Sequence, residues 1–376
     1  MLVLLDFSSA FETIDPDCLL QRSSTRFGIG GSVLQWFTSY LSDRSQYVSI
    51  NSVNSEKHKL WCGVPQGSVA GPLLFIMFTT PLQDIVSAHN ISCMAYADDM
   101  QLYITFDAVD RSFAIRRMEN CLNDVRSWAL QNKLSLNDLK TELLHFHSKY
   151  TSIPPQISIQ MGQSVIRPSN TARNLGVIMD PSLSLCQNVD SICRSAYIAI
   201  RKIGKIRRFL DQNSAHRLVH AIVTSRLDCC NSLLFGLPQK TTLKLQRVQN
   251  TAARLVSRVP RSSHITPILQ ELHWLPISSR ITYKILLLTF KTYHGFAPSY
   301  LLELVPRYTP VRTLRSASQS LLSRPKTTSY KQYGQRSFIY AATFLWNYLP
   351  LDIRNASSVN TFKLMLKTHL FESYFG

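Results

Sequence analysis

Residues 91–106 read Ile-Ser-Cys-Met-Ala-Tyr-Ala-Asp-Asp-Met-Gln-Leu-Tyr-Ile-Thr-Phe. The pattern predicts strands over Ile91–Ala97 and Met100–Phe106, with Asp98 and Asp99 between them. Adjacent residues of a strand point to opposite faces, so two neighbouring aspartates can serve one site only from a tight turn. Working outward, Leu2–Leu5 is a short, fully apolar run that fits a buried strand and ends at Asp6. Pairing of these strands would bring Asp6 next to Asp98. Three clustered carboxylates repel one another and call for a strong cation. Hard Mg²⁺, with its preference for oxygen, is the natural answer. Two such ions about 3.5–4 Å apart stabilise the attacking and leaving oxygens of phosphoryl transfer.

The segment between is patterned as well. Asp17–Arg26 predicts a short helix, closed by a loop at Gly28, Gly30 and Gly31. Val33–Leu41 has apolar residues at helical spacing, with Ser32 as its expected cap. Gln46–Ile50 and Lys57–Trp61 are strand-like around a loop at Asn51–Ser55. Gly63-Val64-Pro65-Gln66-Gly67-Ser68 leads into Gly71–Ala88, expected as one long buried helix. Arg111–Leu130 is an amphipathic helix, and Glu142–Phe146 and Leu175–Met179 are strands. Residues 151–168 are rich in Pro, Ser and Gln and give no clear period. From Leu183 the period becomes helical, with helices expected near 183–210, 214–229, 240–258, 279–295 and 335–348. Pro298–Thr328 is expected to be loop-heavy.

Three motifs in this order carry a resemblance. LVLLDFSSAF, GVPQGS followed by GPLLF, and AYADD are similar to motifs A, B and C of reverse transcriptases, most nearly those of non-LTR (LINE-type) retrotransposons. Asn132-Lys133-Leu134 with Asn137–Glu142 resembles motif D, and Asn174-Leu175-Gly176-Val177 resembles motif E. Leu245–Asn250 and His273-Trp274-Leu275-Pro276 resemble the tails of such proteins, so the likeness runs along almost the whole chain. It implies Asp6 and Asp98 as the main metal ligands, with Asp99 in support. It implies Phe11 as the gate against a ribose 2′-OH. Pro65, Gln66 and Gly67 would form the floor under the incoming nucleotide. Lys140 matches a lysine that neutralises or protonates the leaving pyrophosphate. The cofactor implied is Mg²⁺ or Mn²⁺, and the partners are an RNA template, a DNA primer or target and dNTP. Glu12 stands where Asp is usual and Ala70 where a larger apolar residue is usual. With Met1 only five residues before Asp6, the resemblance implies a chain truncated at its N-terminus, without fingers.

Charge divides the chain. The net charge is +18, but residues 1–150 hold 12 basic and 15 acidic side chains, and residues 151–376 hold 29 and 8. A half-chain at net +21 should bind a polyanion, most simply nucleic acid. Arg201, Lys202, Lys205, Arg207 and Arg208 fall within eight residues, interleaved with Ile203 and Ile206. On a helix the isoleucines would pack inward and all five charges would face out. A solvated helix face or a nuclear-localisation-like run is the plainer alternative. Hydrophobic residues at 45% support a packed core. No apolar run reaches the length of a membrane span, and Asp6 interrupts the N-terminal apolar run before it could serve as a signal peptide. Eight cysteines without zinc spacing, several of them in apolar runs, suggest buried reduced thiols in an intracellular protein, and the resemblance implies the nucleus or a cytoplasmic ribonucleoprotein as its place. His145 and His147 alternate on a short strand and are expected to be non-catalytic.

The expected fold is α+β: a right-hand polymerase palm, an antiparallel sheet with packed helices, over residues 1–181. A helical thumb (182–260) and a basic helical C-terminal extension (261–376) follow. The expected function is RNA-directed DNA polymerisation. An inactive nucleic-acid-binding remnant, an interaction scaffold and an unexpressed relic are the alternatives.

Overall fold

The structure is a computed structural model and describes residues 1–8, 10–65, 67–147, 157–309, 319–325 and 334–376. The chain divides into two compact units, Met1–Leu183 and Ser184–Gly376.

The first unit is built on β1 (Leu2–Leu5), which lies inside a four-stranded antiparallel sheet. Its continuous apolar sequence is explained by what covers its two faces. Val3 and Leu5 join the main core with Leu74, Phe75, Met118 and Leu122. Leu2, on the other face, joins a smaller cluster with Leu144 and Ala172, against which Leu4 and Met179 pack. One residue past Asp6 the chain changes partners. β2 (Phe7–Ser8) pairs with a strand that is not part of the main sheet.

α1 (Pro16–Phe27) starts at Asp15, whose carboxylate accepts from the N–H groups of Asp17 and Cys18, and Pro16 needs no hydrogen-bond partner there. It stops at Gly28 in the left-handed conformation. α2 (Gly31–Leu41) follows, beginning two residues before the predicted start and without the expected Ser32 cap. The strand-like region 46–61 folds as two short ladders. β3 (Ser45–Gln46) pairs with β6 (His58–Lys59), and β4 (Ser49–Ile50) with β5 (Val53–Asn54). The long helix expected over 71–88 is two, α3 (Gly71–Thr79) and α4 (Pro81–Ala88). Pro81 has no N–H to continue the ladder, so the first helix ends before it.

β7 (Ser92–Tyr96) and β8 (Asp99–Tyr103) form the hairpin anticipated from residues 91–106, each shorter than expected at its outer end. α5 (Arg111–Gln131) buries Ala114, Met118, Leu122 and Val125 at helical spacing. β9 (Ser135–Leu136) is the partner of β2, and β10 (Glu142–Leu144) completes the sheet order β10-β1-β8-β7. Two hairpins follow: β11 (Ile159–Met161) with β12 (Ser164–Ile166), and β13 (Ala172–Asn174) with β14 (Val177–Met179). Sequence periodicity missed the first and gave only one strand of the second. Strands of three residues hold too few alternations to register a period.

The second unit is helical. α6 (Cys186–Ile206) ends in a 3₁₀ turn at Arg207–Phe209. The helix expected over 214–229 is α7 (Gln212–Val219), a π turn at His220–Thr224 and α8 (Ser225–Asp228). α9 (Gln239–Ser257), α10 (Ile265–Glu271) and α11 (Ile277–Tyr293) follow. Helices at Phe338–Asn347, Leu351–Arg354 and Val359–Phe375 close the chain; α10 and the last two were not anticipated. The pieces expected on either side of residue 260 belong to one unit. Gln249 on α9 donates to the Leu275 carbonyl, and Gln246 accepts from the N–H of Ile277. Further on, Phe290 stacks on Phe362 at 4.1 Å and lies tilted to the fully buried Trp346 at 6.4 Å. Among the described residues, no helix is long and apolar enough to cross a membrane. Cys121 and Cys193 are buried, but Cys62, Cys186, Cys229 and Cys230 are exposed, which corrects the expectation of buried thiols for half the set.

Candidate active site and nucleic-acid interface

The site begins where β1 ends. β1 and β8 are antiparallel with Leu5 opposite Met100, so one further step sets Asp6 level with Asp99. The hairpin between β7 and β8 turns on two residues, Ala97 at φ +53° and Asp98. Asp98 thus sits in the turn itself and Asp99 at the first position of β8. Their proximity registers electrostatically: burial first, then the charges of Asp98 and Asp6, raise the pKa of Asp99.

Lys140 joins the group because Asp6 sits where the chain leaves one sheet for another. The loop from β9 to β10 passes beside it, and the Asn137 N–H donates to the Asp6 carbonyl at 2.8 Å. The Lys140 N–H donates to the Asn137 carbonyl, which folds the loop back. The Lys140 Nζ then stands 3.6 Å from the Asp6 carboxylate. Both groups are open to water, so the pair adds little stability. Its consequence is positional: a mobile ammonium is tethered beside a carboxylate.

The second motif is stitched to the first by backbone. The Val64 N–H donates to the Phe11 carbonyl at 2.7 Å, and the Gly63 N–H to the Ile14 carbonyl at 2.7 Å. Phe11 is half-buried, with its ring 4.9 Å from that of Phe75 on α3. Pro65 is half-buried and Gly67 exposed in the left-handed conformation. Ser68 Oγ accepts from the Gly71 N–H and so starts α3. Gln66 lies outside the described residues. Gly63 cannot be replaced easily: its φ is +84°, and a Cβ there would lie 2.6 Å from the Glu12 carbonyl oxygen. Gly63→Ala is therefore expected to destabilise the first unit by about 2–3 kcal/mol, read as a lowered urea midpoint with an unchanged slope. An unchanged midpoint would mean that the two motifs are not held together at this contact.

A metal would need donors of the right kind at the right spacing. The donors are all carboxylate oxygens, they repel one another, and Asp6 already takes a cation as its counter-charge. In chemistry they suit a hard divalent ion. Among the described residues, however, no three His, Cys, Asp or Glu side chains converge closely enough to hold one. His145 and His147 are 6.0 Å apart ring to ring, and burial first, with nearby positive charges, pushes His145 down to about 4.

The basic run needs one correction. Arg201, Lys202, Lys205 and Arg208 are exposed, but Arg207 is buried. Its guanidinium donates to the carbonyls of Leu255 (2.8 Å), Val256 (2.6 Å) and Leu210 (2.6 Å). The 3₁₀ turn after Ile206 swings it inward, where it satisfies carbonyls at the end of α9 that have no helical partner. Ile206, expected inside, is exposed. Sequence reading also missed Arg254, Arg258 and Arg261. With Arg201 and Tyr197 they line a groove of about 850 Å³ that has no acidic residue in its wall. The available signal was the recurrence of Arg254, Arg258 and Arg261 at three- and four-residue spacing across the end of α9, where Arg258 is the left-handed cap.

Residues 1–179 match the family model described as reverse transcriptase (RNA-dependent DNA polymerase). The chain's relatives are, more narrowly, the polymerases of non-LTR retrotransposons. The probable RNA-directed DNA polymerase from transposon BS of Drosophila melanogaster is 24% identical over 74% of this chain and 31% of its own length. The corresponding probable polymerase from transposon X-element of the same species is 29% identical over 58% and 24%. The Pol polyprotein from type-1 retrotransposable element R1 of Nasonia vitripennis is 24% identical over 57% and 65%. The chain thus spans 31% or less of the length of the first curated relatives it matches. A telomerase from Candida albicans, solved with a fragment of telomeric RNA, covers 75% of this chain and 48% of its own at 13% identity. Its TM-score of 0.34 is too low to bear on fold or function.

Proposed function

We infer that this chain holds the catalytic part of an RNA-directed DNA polymerase, with a palm over 1–181, a thumb over 182–260 and a basic extension over 261–376. A primer 3′-OH would attack the α-phosphate of a dNTP opposite an RNA template, within an intracellular ribonucleoprotein. The observation that carries this is the meeting of Asp6 with the Asp98–Asp99 turn, where Asp99 senses both other charges. Divalent ions, when bound, supply Lewis-acid stabilisation of the oxygens that gain charge. Asp6 and Asp98 would hold them, with Asp99 in support. Phe11, five residues past Asp6 and against Phe75, would limit space at the sugar. Pro65, Gln66 and Gly67 would shape the nucleotide floor. Lys140 balances Asp6 at rest and would be free to neutralise the departing pyrophosphate once Asp6 is engaged elsewhere.

Calorimetric titration with Mn²⁺ tests the carboxylates directly. Wild-type chain is expected to bind weakly without nucleotide, and Asp98→Asn more weakly still. Equal binding by both would end the assignment. The pH dependence has a definite sign. The raised pKa of Asp99 favours its proton in the folded state, so folding gains from this group below its unfolded pKa and loses that gain as pH rises through the folded value. Mn²⁺ competes with the same proton, so affinity should begin to fall at a higher pH than it would for an ordinary aspartate.

A non-catalytic, nucleic-acid-binding role is the second possibility, favoured by the arginine groove. Binding to RNA and DNA should show little sequence preference. Log affinity should fall with log salt by about 0.7–0.9 per phosphate contact. Neutralising Arg201, Lys202, Lys205 and Arg208 together should flatten that slope by two or more contacts. A slope that does not change would locate the footprint elsewhere.

A further inference from the structure

A cavity of about 410 Å³ lies within the helical unit, between the α7–α8 region, α11 and Lys367 of the last helix. That volume is within the ~300–1,000 Å³ range of small-molecule sites. One wall is aromatic. The rings of His216 and His220 are 4.5 Å apart, and Trp274 lies 5.7 and 5.3 Å from them. Trp274 Nε1 donates to His216 Nε2 at 3.0 Å, so that nitrogen carries no proton and the ring is neutral. Burial is the main cause lowering the pKa of both histidines, and the Lys367 charge adds to it. Arg280 and Asp228 act on His220 in opposite directions. His220 stands edge-on to both His216 (70°) and Trp274 (71°), so the wall is a set of ring faces and edges, uncharged at neutral pH.

The floor holds an acceptor in need of a donor. Asn231 is 4% exposed and its Oδ1 has no hydrogen-bond partner among the described residues. The amide cannot flip to cure this, because its nitrogen faces the Asp228 carboxylate at 3.4 Å. Asp228 in turn is gripped by Arg280, with Nε 2.8 Å from Oδ1, and is not free for a ligand. A buried oxygen left unpaired costs about 1–3 kcal/mol, which a ligand N–H would recover. At the opening, Lys284 and Lys367 are exposed, and neither forms an ion pair among the described residues. With Asp228 and Arg280 cancelling, the lining carries two spare positive charges.

A neutral aromatic wall that offers ring faces and edges, an unpaired acceptor and two free cations suit a ligand with an aromatic ring, an N–H donor and an anionic group. We propose that this cavity binds a mononucleotide unit, its base N–H on Asn231 Oδ1 and its phosphate at Lys284 and Lys367. The unit can be a free nucleotide or a nucleotide splayed from a single strand. None of these residues lies within 1–183, so the site stands whether or not the polymerase assignment does.

Isothermal titration of the full chain with AMP, adenosine, inorganic phosphate and a four-nucleotide adenosine oligoribonucleotide tests it. AMP should bind one to one and at least tenfold tighter than adenosine or phosphate. Lys284→Ala with Lys367→Ala should weaken AMP at least tenfold, and Asp98→Asn should leave it unchanged. Asn231→Leu should weaken adenosine as well as AMP; if that variant does not fold, the exposed lysine pair decides the question. Displacement of AMP by the oligonucleotide would identify the splayed strand as the source, and failure to displace it the free nucleotide. Equal affinity for phosphate and AMP, or undiminished AMP binding in the double lysine variant, would overturn the proposal.

Discussion

Asp98→Asn is expected to reduce dNTP incorporation on a primed RNA template by on the order of 10³-fold or more, equivalent to about 4 kcal/mol of lost transition-state stabilisation. Asparagine keeps the size of aspartate and its fit to the hairpin turn, so folding should not change. It removes the negative charge that a divalent ion needs at the turn beside Asp6 and Asp99. The control is Asp107→Asn, an equal loss of charge at an exposed loop residue outside the site. It should retain wild-type incorporation. Synthesis by Asp98→Asn at the wild-type rate would remove this aspartate from the chemistry.

Arg207→Ala should produce the largest loss of stability outside the site. Three carbonyls lose a charged donor together, at roughly 1.5–3 kcal/mol for each such bond in isolation. Water can reach some of them once the side chain is gone, so a net loss of about 4 kcal/mol is expected. For a unit of this size that is a fall in melting temperature of about 10 °C. Arg207→Lys should recover only part of it, because one ammonium cannot fork to three carbonyls. Arg208→Ala, next along the chain, should be close to neutral: its guanidinium is exposed and rests on the Phe209 ring at 4.6 Å. Similar melting of all three variants would show that the buried guanidinium does not hold α6 to α9.

The legible parts of the molecule were those where local pattern and tertiary need agree. The strands flanking Asp98 and Asp99, the apolar run before Asp6 and the helix after Gly71 each signal their place within a few residues. Register then follows, because a hairpin with a two-residue turn allows few pairings. The hairpins of Ile159–Ile166 and Ala172–Met179 were hard to read. Their strands are three residues long, and their stability comes from what they pack against rather than from their own periodicity. The helices at Ile265–Glu271 and Leu351–Arg354 are similarly too short to repeat a pattern.

By itself, the sequence determined the two-part division of charge, the hairpin that carries two aspartates and the strand that delivers a third. These rest on composition and on contacts between near neighbours along the chain. Only the tertiary structure decided which charges are available. Nothing in Arg-Lys-Ile-Gly-Lys-Ile-Arg-Arg marks Arg207 as the buried one. The choice was made by the carbonyl end of α9, some fifty residues away, which needs donors that its own helix cannot supply. Likewise Lys140 meets Asp6 because the chain leaves one sheet for another at Asp6 and the β9–β10 loop folds across that gap. Both outcomes depend on unsatisfied backbone groups brought together from distant parts of the chain, and a one-dimensional pattern contains no record of those distances.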